Sequence, residues 1–413
     1  MPNKEITTKV CIIGAGFAGL VIANILQKYN IACVLIEKCS EAEIYNRHDL
    51  GLIDRQTVEI LKKYGLSDRL IDRGILQDRC EFRTLEQSFI LNYGQKCRHQ
   101  AHYIYSQQSL TIDLIDKLYQ NGGEIWFDTQ ATAMINDSQG AKVECKQKEE
   151  TITINCDFVA GCDGVRGISR PSIPQTIIKL RYKDFNYSWL AITAEIAPST
   201  EHIIYGIHPK GFAGYMPNDE TTSRYYLQIP KGDTVAQWSD RIIWSELQLR
   251  LAQDDSTTID GEIINKQVLR INSFITQTMQ YRRLFLAGNS AHTMTPAGGK
   301  DINVAIQDAD ALGQALVSYC YYHHNLPLRN YSATRLSVVR KMQQFSTSLL
   351  QMINTQDNST PEGKSIERVQ KFKRSQLMNS DLYALDFSRK YVGYTAAKPS
   401  SKCDRQQPFA TAS

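Results

Sequence analysis

Apolar residues near the start of the chain change from strand-like to helix-like spacing and back. Residues 9–13 form a short run rich in β-branched side chains, which is typical of a buried parallel strand. After a glycine-rich stretch, apolar residues recur at roughly helical spacing up to Tyr29, and Asn30 stands where a helix would end. A second apolar run, residues 31–36, leads to Glu37. This order predicts a complete βαβ unit.

The rest of the chain changes character twice. Residues 179–228 alternate apolar and polar positions and are rich in aromatic side chains, which predicts an antiparallel sheet laid on the first domain. A parallel-strand pattern returns at residues 283–288, followed by a loop rich in Gly, Pro and Thr and then by a helix. Residues 330–391 are mostly amphipathic and predict further helices. We therefore expect an α/β fold with a second, antiparallel domain and a helical C-terminal part.

The glycine-rich stretch itself, residues 14–19, has the spacing of a dinucleotide-binding turn. Gly14 permits the tight turn, Gly16 lets the backbone approach a pyrophosphate, and Gly19 lets the helix pack closely on the strand. Glu37 falls 18 residues beyond Gly19, where a carboxylate can accept hydrogen bonds from ribose hydroxyls. The motif alone is weak, but the strand before it, the helix after it and the terminal acid agree. We expect a dinucleotide at this turn.

Composition excludes several other classes of function. A chain of 413 residues corresponds to two or three domains, and its net charge of +4 gives no sign of a nucleic-acid partner. No apolar run is long enough for a membrane span, and no signal peptide precedes the first strand. The ten cysteines form no CxxC or CxxH pair, which argues against a metal site. We expect a cytoplasmic protein with reduced thiols, bound neither to membranes nor to metal.

Three blocks together resemble the group A flavoprotein aromatic hydroxylases, with 4-hydroxybenzoate 3-monooxygenases as the most similar members. They are the glycine turn with Glu37, the block AGCDGVRGISR at residues 160–170, and the block RLFLAGNSAH at residues 283–292 with the glycines that follow it. The resemblance extends from about residue 9 to residue 393. It implies an FAD- and NAD(P)H-dependent monooxygenase that hydroxylates an aromatic substrate with dioxygen by way of a flavin hydroperoxide.

The resemblance also implies how the chain is divided. The expected parts are a discontinuous Rossmann-like FAD-binding domain (1–77, 102–178 and 270–329), a substrate-binding domain (78–101 and 179–269), a helical C-terminal interface region (330–394) and a loose tail (395–413). A homodimer is expected by analogy with the family.

The resemblance assigns residues to the cofactor site. Those matching FAD contacts are Gly14, Gly16, Gly19, Glu37, Lys38, Arg47, Gln107, Asp163, Asn289, Pro296, Gly299, Lys300, Asp301, Ile302 and Asn303. Asp163 also fits a helix N-cap, and the two roles are compatible. NADPH and NADH are not distinguished as the reductant.

A second set matches the substrate site. Its members are Tyr205, Met216, Asn218, Arg224, Tyr226, Pro296, Ala297 and Tyr391, of which Tyr205, Tyr391 and Pro296 are expected to act in catalysis. In the family, two tyrosines draw the proton from a phenol whose free pKa is about 10. Tyr205 and Tyr391 match both positions, and the resemblance therefore implies that they form this proton relay.

Several positions depart from the family. Met216 and Asn218 replace the serine and arginine that bind the substrate carboxylate, and a buried carboxylate without a cation is costly. We therefore expect a phenol or aniline whose other end is neutral or larger, rather than 4-hydroxybenzoate. Asp49 replaces an arginine near the pyrophosphate, which predicts weakened FAD binding by charge repulsion. Asn289 and Asp301 replace an aspartate and a glycine beside the flavin.

These departures leave two alternatives to hydroxylation open. One is a flavin-dependent oxidation of another kind in a biosynthetic pathway, such as N-oxidation or ring coupling. The other is a degenerate flavoprotein fold without catalysis, which Asp49 and Asp301 favour.

Overall fold

The computed structural model describes residues 4–46, 50–251, 260–355 and 359–393. Within these ranges the strands are β1 (Lys4–Ile13), β2 (Cys33–Ile36), β3 (Leu50–Ile53), β4 (Ile75–Gln77), β5 (Cys80–Thr84), β6 (Ser88–Leu91), β7 (His102–Ser106), β8 (Ile125–Trp126), β9 (Thr129–Asn136), β10 (Ala141–Gln147), β11 (Glu150–Gly161), β12 (Leu180–Glu195), β13 (Ile203–His208), β14 (Gly211–Pro217), β15 (Ser223–Pro230), β16 (Glu262–Thr276), β17 (Gln280–Tyr281), β18 (Leu284–Leu286) and β19 (His292–Thr293).

The helices of the same ranges lie mostly between strands of the first half and at the C-terminal end. They are α1 (Phe17–Lys28), α2 (Glu41–Tyr45), α3 (Arg55–Tyr64), α4 (Asp68–Arg73), α5 (Tyr93–Lys96), α6 (Gln107–Gln120), α7 (Asp240–Leu251), α8 (Lys300–Tyr322), α9 (Leu326–Ile353), α10 (Pro361–Asn379) and α11 (Asp381–Tyr391). Two short 3-10 helices, Val235–Gln237 and Gly288–Ser290, complete them.

A mainly parallel sheet forms the first layer. Its strands run in the order β17-β18-β11-β1-β2-β8, with β10 and β9 attached as an antiparallel extension of β11. The central strands are apolar on both faces because helices cover them, among them α1 and α8, which pack on each other. The N-terminal βαβ unit predicted from the sequence is present as β1, α1 and β2, with β1 and β2 parallel.

An antiparallel sheet forms the second layer. Its order is β19-β16-β12-β15-β14-β13-β5-β6, and the pair β13–β5 is parallel. One face packs on α7, and the other contributes to a core shared with α9, α10 and α11. A small sheet, β3-β7-β4, joins the two layers. The mixed α/β architecture expected from the sequence is confirmed, while the exact domain boundaries stay a prediction.

No helix within the described residues is both long and apolar enough to cross a membrane.

Candidate active site

A cavity of about 700 Å³ opens at the carboxyl ends of the parallel strands. It is bounded by the turn between β1 and α1, by the end of β2 and by the loop that follows β11. In open parallel sheets, ligands bind at this edge because the loops and helix N-termini meet there. Predicted cofactor residues that line it are Gly14, Gly16, Glu37, Lys38, Gln107, Asp163, Asn289, Asp301 and Ile302.

Each of the three glycines in the turn is needed for a different structural reason. Gly14 has a φ of +101°, and a Cβ there would lie 2.5 Å from the carbonyl oxygen of Cys162. A Cβ on Gly19 would lie 1.9 Å from the carbonyl oxygen of Gly14, so Gly19 lets α1 pack against the turn. At Gly16 a Cβ would meet no atom within 4 Å, and the residue lines the cavity. Gly14 and Gly19 therefore serve the fold, whereas Gly16 keeps space for a ligand.

Glu37 is fixed at the end of β2 by backbone donors. Its Oε2 accepts from the Ala15 amide at 2.8 Å, and its Oε1 accepts from the Cys39 amide at 3.0 Å. Ala15 lies within the glycine turn, so the carboxylate joins the turn to the second strand. Its orientation toward the cavity is set before any ligand arrives.

Asp163, in the loop after β11, has one satisfied and one unsatisfied oxygen. Its Oδ2 accepts from the Ser169 amide at 2.8 Å. Its Oδ1 is buried and has no hydrogen-bond partner among the described residues. Burial raises the pKa of this carboxyl, with the bonds from Ser169 opposing the shift. An orphaned buried acceptor beside an open cavity fits a ligand that brings hydroxyl donors.

A buried ionic cluster fixes the loop that carries Asn289. Asp308 of α8 accepts from the Gly288 amide at 3.0 Å, from His292 Nε2 at 2.6 Å and from Arg335 Nε at 2.6 Å. The amide and His292 bind the same oxygen, Oδ2. Burial alone would raise the pKa of Asp308, but Arg335 and His292 outweigh it and hold that pKa below its usual value. Sequence reasoning missed this cluster because its members come from three separate elements.

A second cavity, of about 290 Å³, lies between the two layers. The antiparallel sheet supplies aromatic and apolar walls, including Trp189, Phe212 and Leu269, which the sequence did not single out as site residues. Of the predicted substrate residues, Tyr205, Met216, Arg224, Tyr226, Pro296 and Ala297 line it. Alternation along β13, β14 and β15 places Tyr205, Met216, Arg224 and Tyr226 on one face of the sheet, while Pro296 and Ala297 come from the loop before α8.

Tyr205 and Tyr391 meet although 186 positions separate them. Their hydroxyl oxygens lie 2.8 Å apart, and either group can donate. Tyr205 is on β13 and lines the cavity, whereas Tyr391 ends α11 and is fully buried. Burial raises the pKa of both phenols far above neutrality. Both hydroxyls therefore carry their protons at neutral pH.

The backbone carbonyl of Tyr391 is held by two buried side chains. Lys300 Nζ donates to it, and His102 Nε2 donates to it at 3.0 Å. His102 also contacts Tyr93 Oη at 3.2 Å. Burial lowers the pKa of Lys300 to about 8, with Asp54 opposing the shift, and lowers the pKa of His102 well below its usual value. His102 was not predicted, since a lone histidine in a strand gives no signal.

Asn218 lies away from the second cavity. Its amide donates to Asp219 and Thr222, and it lines a third cavity of about 640 Å³ beside α4 and α6. Arg224 lines both the second and the third cavity and donates to Thr193 Oγ1. At the position where the substrate carboxylate would need a donor, Met216 faces the second cavity instead.

The loop before α8 lies between the two main cavities. Pro296, Gly299 and Lys300 line the second cavity, and Asn303 lines neither, because its amide donates to the carbonyls of Leu52 and Gly299. Among the described residues, three line both cavities: Gln107, Asp301 and Ile302. The predicted sites at Arg47 and Asp49 lie outside the described residues.

Comparison with known proteins agrees with this geometry. Residues 7–346 match the family model described as FAD binding domain. The chain is 30% identical over 394 residues to the p-hydroxybenzoate hydroxylase of Acinetobacter baylyi, covering 94% of this chain and 96% of that protein. The chain belongs to the family of FAD-dependent aromatic hydroxylases. The members of this family are monooxygenases, and this chain is therefore an FAD-dependent aromatic monooxygenase. The alternative of a flavoprotein fold without catalysis is not supported.

Two solved structures share this fold over most of the chain. The crystal structure of p-nitrophenol 4-monooxygenase from Pseudomonas putida DLL-E4 aligns with a TM-score of 0.80 at 17% identity, covering 95% of this chain and all of that one. A ternary complex of aklavinone-11 hydroxylase with FAD and aklavinone aligns with a TM-score of 0.72 at 18% identity, covering 86% and 70%. These likenesses concern the fold.

Proposed function

We propose that this aromatic hydroxylase acts on a phenol or aniline-type ring whose other end carries no charge, and that 4-hydroxybenzoate is a poor substrate. The observation that supports the proposal is the second cavity itself. Tyr205, hydrogen-bonded to the buried Tyr391, lines it, and the Met216 thioether stands in its wall where the family has a hydroxyl. The first feature suits a ring hydroxyl or amine, and the second suits a neutral substituent.

The tyrosine pair supplies the proton path. A phenol with a free pKa near 10 is nucleophilic at its ring carbons only when its proton is drawn away. Both tyrosines keep their own protons at neutral pH, so neither is an ionised base. In our proposal the substrate proton moves to Tyr205 Oη, the Tyr205 proton moves to Tyr391 Oη, and the Tyr391 proton passes to a water molecule, so that both tyrosines stay neutral. A concerted shift of this kind requires the observed 2.8 Å contact.

The two cationic side chains of the cavity each donate a hydrogen bond to the protein itself. Arg224 and Lys300 are the cationic side chains that line it among the described residues, and both donate to protein oxygens, Thr193 Oγ1 and the Tyr391 carbonyl. A carboxylate beside Met216 would meet a thioether instead of a hydrogen-bond donor, and burying a carboxylate without a partner costs several kcal/mol. A neutral substituent packs against Met216, Trp189 and Leu269 at no such cost.

FAD fits the first cavity. We propose that the turn at Gly14 and Gly16 receives its pyrophosphate, that Glu37 and Lys38 face its adenosine, and that Asp163 Oδ1 accepts a hydroxyl of the cofactor. When bound, FAD supplies the activation of dioxygen that ring hydroxylation needs. NADPH or NADH as the reductant, and a homodimer, are carried over from the family and stay predictions.

The test is a substrate panel. With FAD and NADPH or NADH, neutral para-substituted phenols and anilines should be hydroxylated, while 4-hydroxybenzoate should barely accelerate nucleotide oxidation. Met216→Lys, a change of similar length that adds an ammonium group to the wall, should improve turnover of 4-hydroxybenzoate and weaken that of neutral phenols. Asn265→Lys, which adds the same charge in the third cavity, is the matched control.

Efficient hydroxylation of 4-hydroxybenzoate by the unmodified protein would overturn the proposed substrate class. Consumption of NAD(P)H with phenols that yields an oxidised but not hydroxylated product would favour the biosynthetic alternative instead.

A further inference from the structure

Asp301 lies where the two main cavities meet. Of the three described residues that line both, Gln107 and Ile302 are neutral, and Asp301 alone is ionisable. A flavin held in the first cavity reacts with a substrate in the second, so its ring has to lie at this junction. Within the part of the chain that the structure describes, the carboxyl of Asp301 is therefore the titratable group placed between cofactor and substrate.

The carboxyl is oriented by the protein on one side only. Asp301 is the second residue of α8, and its Oδ1 accepts from the Met294 amide at 2.7 Å. No described residue donates to its Oδ2. The bond to Met294 fixes the side chain, and the second oxygen stays available to bind a proton and to face a ligand.

The surrounding charges leave this carboxyl without an ion pair. On α8 the preceding Lys300 turns to the last carbonyl of α11, and on β19 His292 bonds Asp308, which also binds Arg335 of α9. Across the first cavity, Glu37 and Asp163 are held by backbone amides. His292 therefore acts on Asp301 only through space.

Burial raises the pKa of Asp301 to about 6, with the Met294 bond and His292 opposing the shift. A carboxyl in this range is mostly ionised beside a neutral, oxidised flavin at pH 7. A negative charge added to the neighbouring ring raises the pKa of a nearby carboxyl further, because like charges disfavour the ionised form. The group is thus placed to gain a proton when the flavin is reduced.

We propose that Asp301 is a proton-exchanging residue of the flavin site, whose carboxylate takes up one proton from solvent when bound FAD is reduced and returns it when FAD is reoxidised. The proposal rests on the FAD dependence of the proposed function but not on its substrate class. Two electrons and one proton reach the ring as hydride from the nicotinamide nucleotide, and the additional proton comes from water and resides on Asp301 Oδ2. The reduced ring then lies beside a neutral carboxyl, and the site avoids two adjacent negative charges.

The test is the midpoint potential of bound FAD, titrated with dithionite and reference dyes between pH 7 and 8 in the absence of aromatic substrate. In the wild type, one further proton per electron pair should steepen the fall of potential with pH by about 30 mV per pH unit relative to Asp301→Asn. Asp157→Asn, which removes an exposed carboxylate paired with Lys9, should keep the wild-type slope. Equal slopes in wild type and Asp301→Asn would overturn the proposal.

A second measurement covers the case in which Asp301→Asn fails to fold or to hold FAD. Proton uptake by the wild type is followed with a pH indicator in weak buffer during reduction by a known amount of NADPH or NADH, or by dithionite with its own proton balance subtracted. Between pH 7.5 and 8, where Asp301 is ionised before reduction, the wild type should bind close to one more proton per FAD than free FAD does under the same conditions. Uptake equal to that of free FAD would overturn the proposal. Neither readout involves hydroxylation, so a wrong substrate class leaves this test intact.

Discussion

Replacing Tyr205 by phenylalanine removes the hydroxyl of a residue that lines the second cavity and leaves the ring in place. The ring stacks on Phe82 with centroids 5.1 Å apart and lies 6.3 Å from Phe212, and both contacts survive the change. The perturbation is therefore confined to the 2.8 Å hydrogen bond with Tyr391. Losing a buried hydrogen bond and leaving its partner unsatisfied costs about 1–3 kcal/mol of stability.

The effect on catalysis should be larger than the effect on the fold. A positioned proton acceptor contributes about 10²–10⁴-fold to rate, which corresponds to roughly 3–5 kcal/mol of barrier. Tyr391 cannot take over, because it is fully buried behind Tyr205. We expect Tyr205→Phe to hydroxylate phenols at least about 100-fold more slowly while binding FAD normally.

The assay compares NAD(P)H consumed with hydroxylated product and with hydrogen peroxide released. In Tyr205→Phe, nucleotide oxidation should continue while product falls and peroxide rises. Tyr93→Phe is the matched control, since Tyr93 is buried, donates to the Gln77 carbonyl and packs on Tyr391, but does not line the cavity. Unchanged product yield in Tyr205→Phe, or an equal loss in both variants, would refute the relay and leave the tyrosines as packing.

Three further predictions concern the cofactor turn and two buried charges. Gly14→Ala should lower the melting temperature because its Cβ would lie 2.5 Å from the carbonyl oxygen of Cys162. Gly16→Ala places its Cβ more than 4 Å from any other atom, so it should keep the melting temperature and weaken FAD binding in a fluorescence titration. Burial alone would raise the pKa of Glu81, but bonds from its partners lower it to about 2. The unfolded chain therefore binds more protons below about pH 4.5, and denaturant titrations should show wild type losing up to about 3 kcal/mol relative to Glu81→Gln as pH falls toward 2. The pKa of Lys300 is lowered to about 8, so wild type should gain stability relative to Lys300→Met as pH rises from 8 toward 10, by about 1.4 kcal/mol per unit at most. A flat difference across either pH range would contradict the corresponding shift.

Local patterns were sufficient for the cofactor half of the molecule. The β1–α1–β2 unit, its glycine turn and Glu37 are contiguous in sequence, and their spacing is set by a tight turn and a helix packed on a strand. The same holds for the mixed architecture, since the alternating aromatic segment and the amphipathic C-terminal third each carry their own period. The resemblance to the flavoprotein hydroxylases then singled out Tyr205 and Tyr391, whose hydroxyls meet in the structure.

Local sequence patterns could not predict which side chains surround these residues. His102, Lys300 and Tyr93 surround Tyr391 from three distant segments, and only the folded chain brings them together. Likewise, aligned position alone put Asn218 in the substrate site, whereas its hydrogen bonds to Asp219 and Thr222 hold it toward another cavity.

Short-range spacing and residue type were enough to predict the glycine turn, the class of fold and the groups available for chemistry. The tertiary structure decided which of those groups face a cavity and which are buried among partners. That difference sets their protonation. The sequence marks Asp301 only as a departure from the family beside the flavin. Its pKa is raised because folding partly buries it at the junction of two cavities without an ion pair. Burial and long-range pairing depend on contacts between distant segments, which no local pattern encodes.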